Sequence, residues 1–248
     1  MTGARSPSPA RPFTALADVY DDIMADVEYD LWADFVLRLA AARGYAGGPA
    51  LDLGCGTGNS TVPLVARGIS VEGLDASPRM LAVAKRKLPG VTFHLGDFES
   101  FALGRTFDLA YSVFDSLNNL LTEESFLAAC RNVGAHLSPG GTFVFDANTE
   151  VAMKELWAGD RVEGWADHVY YSWRHEFEER TGLAYVEAYC STPSGSFVER
   201  HTERGYAPAR LLALVDEAGF DDVAVVTYPD GEAAGDDADR VWVVARWP

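Results

Sequence analysis

Residues 50–58 read Ala-Leu-Asp-Leu-Gly-Cys-Gly-Thr-Gly, an apolar run that enters a turn with glycine at every second position. Seventeen residues beyond Gly58, a second apolar stretch, Ile69–Leu74, ends in Asp75. Backbone bare of side chains at Gly54, Gly56 and Gly58 lets a ligand come close, and a carboxylate at the next strand tip can take two ribose hydroxyls. The pair predicts a nucleoside site. A dinucleotide fingerprint would place its third glycine at Asn59. No Gly-Lys-Ser or Gly-Lys-Thr occurs, which excludes a Walker phosphate loop. Asp52, just before the turn, adds a carboxylate that suits a cationic ligand better than a diphosphate. The expected ligand is a positively charged nucleoside without phosphates.

Further residues could act on a second ligand. In Phe197–Tyr206, His201 shares a strand face with Phe197, Glu199 and Glu203, opposite Arg200, Thr202, Arg204 and Tyr206. Two carboxylates beside an imidazole would make it a general base; the other reading is a solvated charge ladder on an exposed strand. Asp115 and Asn118 follow an apolar strand directly, as ligand-holding groups or as an Asx turn or helix cap. His175 reads as a packed core histidine between Trp173 and Phe177. His94, His136 and His168 have no partners at ligand spacing, so no metal is expected.

The elements that must position these groups alternate. Helical spacing marks Phe13–Met24, Asp30–Ala42 (with Leu31, Phe35 and Leu39 on one stripe), Thr57–Ala66, Ser77–Leu88, Thr122–Leu137 and Pro208–Ala218. Strands are expected at the glycine turn, Ile69–Leu74, Val91–Leu95, Phe107–Val113 and about 139–146, so β and α alternate as right-handed crossovers of a parallel sheet. Asp30 reads as an N-cap, and Ser77-Pro78 as an N-cap with proline in the first turn. Val223–Tyr228 and Arg240–Trp247 flank an acidic loop and should pair antiparallel. Residues 160–206 differ in texture: 168–177, Leu183–Cys190 and Phe197–Tyr206 alternate in period two around Thr181-Gly182 and Pro193-Ser194-Gly195 turns. Three antiparallel strands are expected there, inserted after the fifth core strand to roof the ligand end.

Composition bounds the class. The chain has 248 residues, 48% apolar and 23% charged, which suits one domain of 13–248 with an insertion behind a disordered tail, 1–12. No apolar run approaches the ~18 residues of a membrane span, and the start lacks a signal peptide's apolar stretch. Cys55, Cys130 and Cys190 form no disulfide or zinc pattern and fit a reducing cytoplasm. With 37 acids against 20 bases, a formal charge of −17, binding to nucleic-acid phosphates is not expected. The acidity reads as solubility or as attraction of a cationic substrate. A monomer or a homodimer formed through an insertion edge is expected.

Asp52-Leu53-Gly54-Cys55-Gly56-Thr57-Gly58 resembles the glycine-rich motif of class I S-adenosylmethionine-dependent methyltransferases. Leu74-Asp75-Ala76-Ser77-Pro78-Arg79-Met80 resembles their second-strand motif, and Gly96-Asp97-Phe98 the segment after the third strand. Phe107–Val113 with Phe114-Asp115-Ser116-Leu117-Asn118 is similar to their fourth strand and reacting-centre loop, and Pro139–Asp146 to their fifth strand. The resemblance covers about 13–148 and 207–247 and several motifs in order. It implies a Rossmann-like α/β fold with a seven-stranded, mostly parallel sheet of order 3-2-1-4-5-7-6, and S-adenosylmethionine as cofactor. It implies cofactor contacts from Asp52, Gly54, Cys55, Gly56 and Gly58 at the glycine turn. Asp75 would bind ribose, Ala76 and Met80 flank adenine, and Asp97 with Phe98 receive the adenine amino end. Ser112 joins them from the fourth strand, and Tyr20 and Tyr29 close over the methionine part. The activity implied is methyl transfer to nitrogen or oxygen of a small-molecule acceptor, held near Asp115, Asn118 and His201. The chain resembles bacterial small-molecule methyltransferases, amino-sugar N-methyltransferases among them. A nicotinamide dehydrogenase and a non-catalytic nucleoside-binding module are the alternatives. No Asp/Asn-Pro-Pro-Tyr follows the fourth strand and no Pro-Cys occurs, which disfavours enzymes acting on nucleic-acid bases.

Overall fold

The computed structural model describes residues 11–155, 157, 159 and 161–248. The first ten residues of the expected tail lie outside them; Arg11 and Pro12 do not. Two sheets form. The larger has seven strands: β1 (Ala50–Leu53), β2 (Val71–Asp75), β3 (Thr92–Leu95), β4 (Phe107–Ser112), β5 (Leu137–Asn148), β10 (Asp221–Val226) and β11 (Arg240–Arg246). Their order is β3-β2-β1-β4-β5-β11-β10, with β1 to β5 parallel and β11 antiparallel to both neighbours. This is the 3-2-1-4-5-7-6 arrangement expected.

Both faces of this sheet are covered, and its side chains divide in period two. Phe143, Phe145 and Ala147 of β5 join Val241, Val243 and Ala245 of β11 in one core. That core packs on α5 (Glu123–Ala135) and α7 (Pro208–Glu217) through Phe126, Leu211 and Leu214. Val144 and Trp242 face the other way, against Phe35 and Val36 of α2 (Tyr29–Ala41) and Leu64 of α3 (Thr61–Ala66). Leu31 leaves its expected stripe and is exposed. α2 starts at Tyr29, so Asp30 lies in its first turn rather than at its cap, and there it pairs with Arg67.

Caps fix the helices that flank the strand tips. Ser77 Oγ accepts the Met80 N–H at the start of α4 (Pro78–Lys87), and Lys85, Arg86 and Lys87 end it where cations complement the helix dipole. Thr122 Oγ1 accepts the Ser125 N–H at the start of α5. α3 begins four residues later than expected because Gly58 has φ +85°. The expected helix Phe13–Met24 breaks into a 3-10 turn, Leu16–Asp18, and a single α turn, α1 (Tyr20–Ile23). Phe13 itself has φ +56°.

The second sheet is antiparallel and has four strands instead of three: β6 (Arg161–Ala166), β7 (Val169–Glu178), β8 (Leu183–Thr192) and β9 (Gly195–Arg204). A further short helix, α6 (Glu150–Glu155), joins β5 to it. β6 is an edge strand whose Trp165 is exposed, so its pattern carries no buried stripe to reveal it. Where β9 returns to the core, Gly205 passes the backbone of Thr149; a Cβ there would lie 2.4 Å from the Thr149 carbonyl oxygen. Gly205→Ala is expected to cost about 1–3 kcal/mol of stability, because backbone must shift to admit the methyl. Chemical denaturation checks this; unchanged stability would contradict that close approach.

Candidate active site

A cavity of about 820 Å³ lies between the strand tips of the large sheet and the inner face of the small one. At one end its wall is the glycine turn and the tip of β2. The Gly56 N–H donates to Asp75 Oδ2 at 2.9 Å and the Ser77 N–H to Asp75 Oδ1 at 2.7 Å. Each carboxylate oxygen is thus oriented by one backbone donor and keeps capacity to accept another. Burial pushes the Asp75 carboxyl up, and those two bonds oppose it. Gly56 has φ +53°, and a Cβ there would project into open space, so bare backbone faces a ligand. Gly54, Ala76, Met80, Asp97 and Phe98 line the same end, with Tyr20. Asp97 is itself held, accepting from the Glu99 N–H and the Ser100 hydroxyl.

Other residues expected at this end stand behind the wall. Asp52 is fully buried; its Oδ2 accepts from Ser60 Oγ at 2.7 Å and Thr61 Oγ1 at 2.6 Å. It therefore fastens the turn to α3 instead of facing the cavity. Burial pushes its carboxyl up to about 6. Cys55 is buried, with Sγ only 2.8 Å from where a Cβ on Gly73 would stand. Gly58 packs on α4, Ser112 Oγ donates to the Leu53 carbonyl, and neither reaches the cavity. Tyr29 packs against Trp32 and Phe114 just behind the lining, its hydroxyl hydrogen-bonded to Tyr20 of the wall and pushed up to about 12 by burial.

At the far end, Phe114 and Asp115 follow β4 with φ of 64° and 50°. Two consecutive left-handed residues without glycine are strained and need fixing from outside. The fixing comes from Asp146 and Arg240. Asp146 accepts the Asp115 N–H, and Arg240 donates to Asp146 Oδ2 at 2.6 Å and Asp115 Oδ1 at 2.8 Å. Asn148 Nδ2 donates to Asp115 Oδ2 at 3.0 Å. Burial opposes the Arg240 charge, but the two carboxylates outweigh it and hold the guanidinium protonated.

Asn118 is fully buried and outside the cavity lining. Its Nδ2 donates to the Asn148 and Arg204 carbonyls and its Oδ1 accepts the Asn148 N–H, so it ties the tip of β5 to β9. Its amide is saturated by backbone and is not available to a ligand. The alternating face of β9 turns inward: Glu199, His201 and Glu203 are all buried, so there is no solvated ladder. His201 and Glu203 line the cavity, as does His175, whose ring meets Trp157 at 5.0 Å in the wall rather than in a core.

Glu199 has a different task. Its Oε1 accepts the Thr14 and Leu16 N–H groups at 3.0 and 2.9 Å, and its Oε2 accepts the Phe13 N–H at 2.7 Å. Across the cavity mouth, Ser77 Oγ donates to the Phe13 carbonyl at 2.5 Å. The segment 11–16 is thereby strapped from the small sheet to the start of α4, with the Phe13 ring on His201 at 4.5 Å. Sequence patterning misses this strap, along with Arg240 and Trp157, because every partner lies far along the chain. The Glu199-x-His201-x-Glu203 alternation was the one visible signal.

Glu199→Ala is expected to speed amide exchange at Phe13, Thr14 and Leu16 by at least about tenfold, since hydrogen bonds to a charged group contribute roughly 1.5–3 kcal/mol each. Exchange monitored by mass spectrometry checks it; unchanged protection would contradict the strap. Asp52 gives a pH prediction. With a folded pKa of about 6 against an ordinary 3.8, the native state holds the extra proton between those values. Stability from this group is therefore lost as pH rises through that window. Between pH 4.5 and 7 the loss is about 2 kcal/mol, and Asp52→Asn should remove it. Denaturant unfolding at both pH values measures the difference; an equal pH slope in the variant would contradict it.

Comparisons agree with this geometry. Residues 50–141 match a family described as "Methyltransferase domain". The putative methyltransferase YqeM of Bacillus subtilis (strain 168) is 28% identical over 222 residues, covering 84% of this chain and 86% of that protein. The dTDP-3-amino-3,4,6-trideoxy-alpha-D-glucopyranose N,N-dimethyltransferase of Streptomyces venezuelae is 35% identical over 132 residues, 52% of this chain and 56% of that one. The crystal structure of an S-adenosylmethionine-dependent methyltransferase from Clostridium acetobutylicum ATCC 824 superposes with a TM-score of 0.81 at 25% identity, covering 93% and 97% of the two chains. With the sheet order and the glycine turn, these likenesses support a class I S-adenosylmethionine-dependent methyltransferase of bacterial small-molecule type.

Proposed function

We propose that the enzyme methylates nitrogen of a small-molecule amine, with the cofactor at the Asp75 end of the cavity and the acceptor at the Asp115 end. The observation that carries this reading is the single cavity joining the two ends, acidic where the acceptor would sit. Its volume is that of a small-molecule site. Support for nitrogen over oxygen is twofold. Methylating a neutral amine leaves a cation on nitrogen, which carboxylates stabilise and which needs no strong base beforehand. The Streptomyces venezuelae relative is, by its name, an N,N-dimethyltransferase of an amino sugar.

The residues fit S-adenosylmethionine: Asp75 offers its remaining lone pairs to the ribose hydroxyls, and bare backbone at Gly56 admits the ligand. Asp97 would accept from the adenine amino group, Met80 and Phe98 would flank the ring, and Tyr20 would close over the amino-acid end. When bound, the cofactor supplies a methyl group already activated on a sulfonium for in-line displacement. The protein is left to orient the amine and exclude water, and orientation alone can contribute on the order of 7–11 kcal/mol. Asp115, immobilised by Arg240 and Asn148, holds the acceptor nitrogen and takes its leaving proton. His201 lines the same end and completes the wall. The small sheet and the strap at 11–16 act as the lid that keeps water out.

Asp75→Ala is expected to weaken S-adenosylmethionine binding by at least about 100-fold, the loss of two hydrogen bonds to one charged group. Calorimetric titration checks this, and undiminished binding would contradict the reading.

A further inference from the structure

Glu203 is only 8% exposed and lines the acceptor end of the cavity; its Oε2 accepts from no donor of the protein, and its carboxyl meets that of Asp115. Two buried carboxyls side by side must share a proton or be bridged by a donor, and a cationic donor serves both. Burial, and then the charge of Asp115, hold the Glu203 carboxyl well above the ordinary carboxylate range. A cation set against it would relieve both effects. Aromatic rings of Phe114, Trp157 and Trp173 stand in the same wall, apolar in body and attractive to a cation over their faces.

The charge around this end is one-sided. Asp115, Glu203 and Asp239 line it, and Arg240 is already divided between Asp115 and Asp146. Among the described residues lining the cavity, the other arginine or lysine is Arg11, on the strap. α6, which reaches this wall through Ala152, carries Glu150 in its first turn and so has no preference for an anion. A nucleoside diphosphate needs arginine forks, lysines or helix N-termini to replace water at its phosphates. None is spare here. The Streptomyces venezuelae relative, by contrast, is named for an amine that carries such a diphosphate.

We propose that the acceptor is a small, phosphate-free amine whose nitrogen is seated by the buried carboxyl of Glu203 beside Asp115, and that nucleotide-linked amines are rejected by charge. This rests on the reading of the enzyme as an amine methyltransferase and adds the class of amine. Like-charge juxtaposition across a desolvated contact disfavours the diphosphate.

The test uses the full chain saturated with S-adenosylhomocysteine and matched pairs of amines. One pair is methyl 3-amino-3,6-dideoxy-α-D-glucopyranoside and the same sugar linked to dTDP; the other is tyramine and tyramine O-phosphate. Binding is read by calorimetry and by tryptophan fluorescence. At least one free amine should bind below about 10 mM, and about tenfold or more tighter than its phosphorylated twin. Glu203→Gln should weaken that free amine by about tenfold or more while S-adenosylhomocysteine binds as before. Failure of every free amine, equal or tighter binding of a phosphorylated twin, or an unchanged affinity in Glu203→Gln would overturn the proposal. Should that variant fail to fold, the matched pairs on the wild type decide alone. Wild type that binds no S-adenosylhomocysteine would instead overturn the functional reading beneath it.

Discussion

Asp75 lies where two strand tips, a glycine turn and a helix start all meet. Its carboxylate accepts from Gly56 in the turn after β1 and from Ser77 at the cap of α4, so one side chain fixes the relative position of four elements. Both donors are backbone groups on parallel strands' carboxyl ends, the place where an open α/β sheet leaves a crevice. Burial raises the energy of the charged form, and the two bonds return part of it. What remains unsatisfied points into the cavity. The wall is thus polar at one spot and apolar around it, through Met80 and Phe98.

The opposite end depends on Arg240. Two left-handed residues in sequence, Phe114 and Asp115, cost about 1–3 kcal/mol each. A single hydrogen bond from the Asp115 N–H to Asp146, at roughly 1.5–3 kcal/mol, offsets only part of that. Arg240, itself only partly buried, supplies the rest by bridging Asp115 and Asp146. The last strand of the sheet therefore decides where the carboxylate at the tip of β4 points. Asn118 does the same between β5 and β9, so the small sheet is registered on the large one by a saturated amide rather than by apolar contact alone.

The strands and their alternation with helices were legible because each signal is local: the glycine turn, the apolar strands, the Ser77-Pro78 cap and the acidic loop before Arg240; their order in the sheet came from the resemblance those motifs carry. The place of Asp75 at the tip of β2 was legible for the same reason. Asp52 was misread because sequence gives its distance from the glycine turn but not its side; β1 is buried on both faces, and Asp52 points under the turn. Tyr29, Cys55, Gly58 and Ser112 stand behind the wall for similar reasons. The fourth strand of the insertion escaped notice because an exposed edge strand has no buried stripe. Glu199, Arg240 and Glu203 draw their roles from partners 88 to 186 positions away, and no spacing rule spans that distance. His201 and its neighbours were visible as an alternation, but only the packed sheet shows that the alternating face is the buried one.

The most direct measurement is a crystal structure of the enzyme with S-adenosylhomocysteine. Ribose hydroxyls within hydrogen-bonding distance of both Asp75 oxygens, with the sulfur turned toward Asp115 and Glu203, is the result expected. A nucleoside bound elsewhere, or a sulfur directed away from Asp115, would contradict the two-ended cavity on which the functional reading stands.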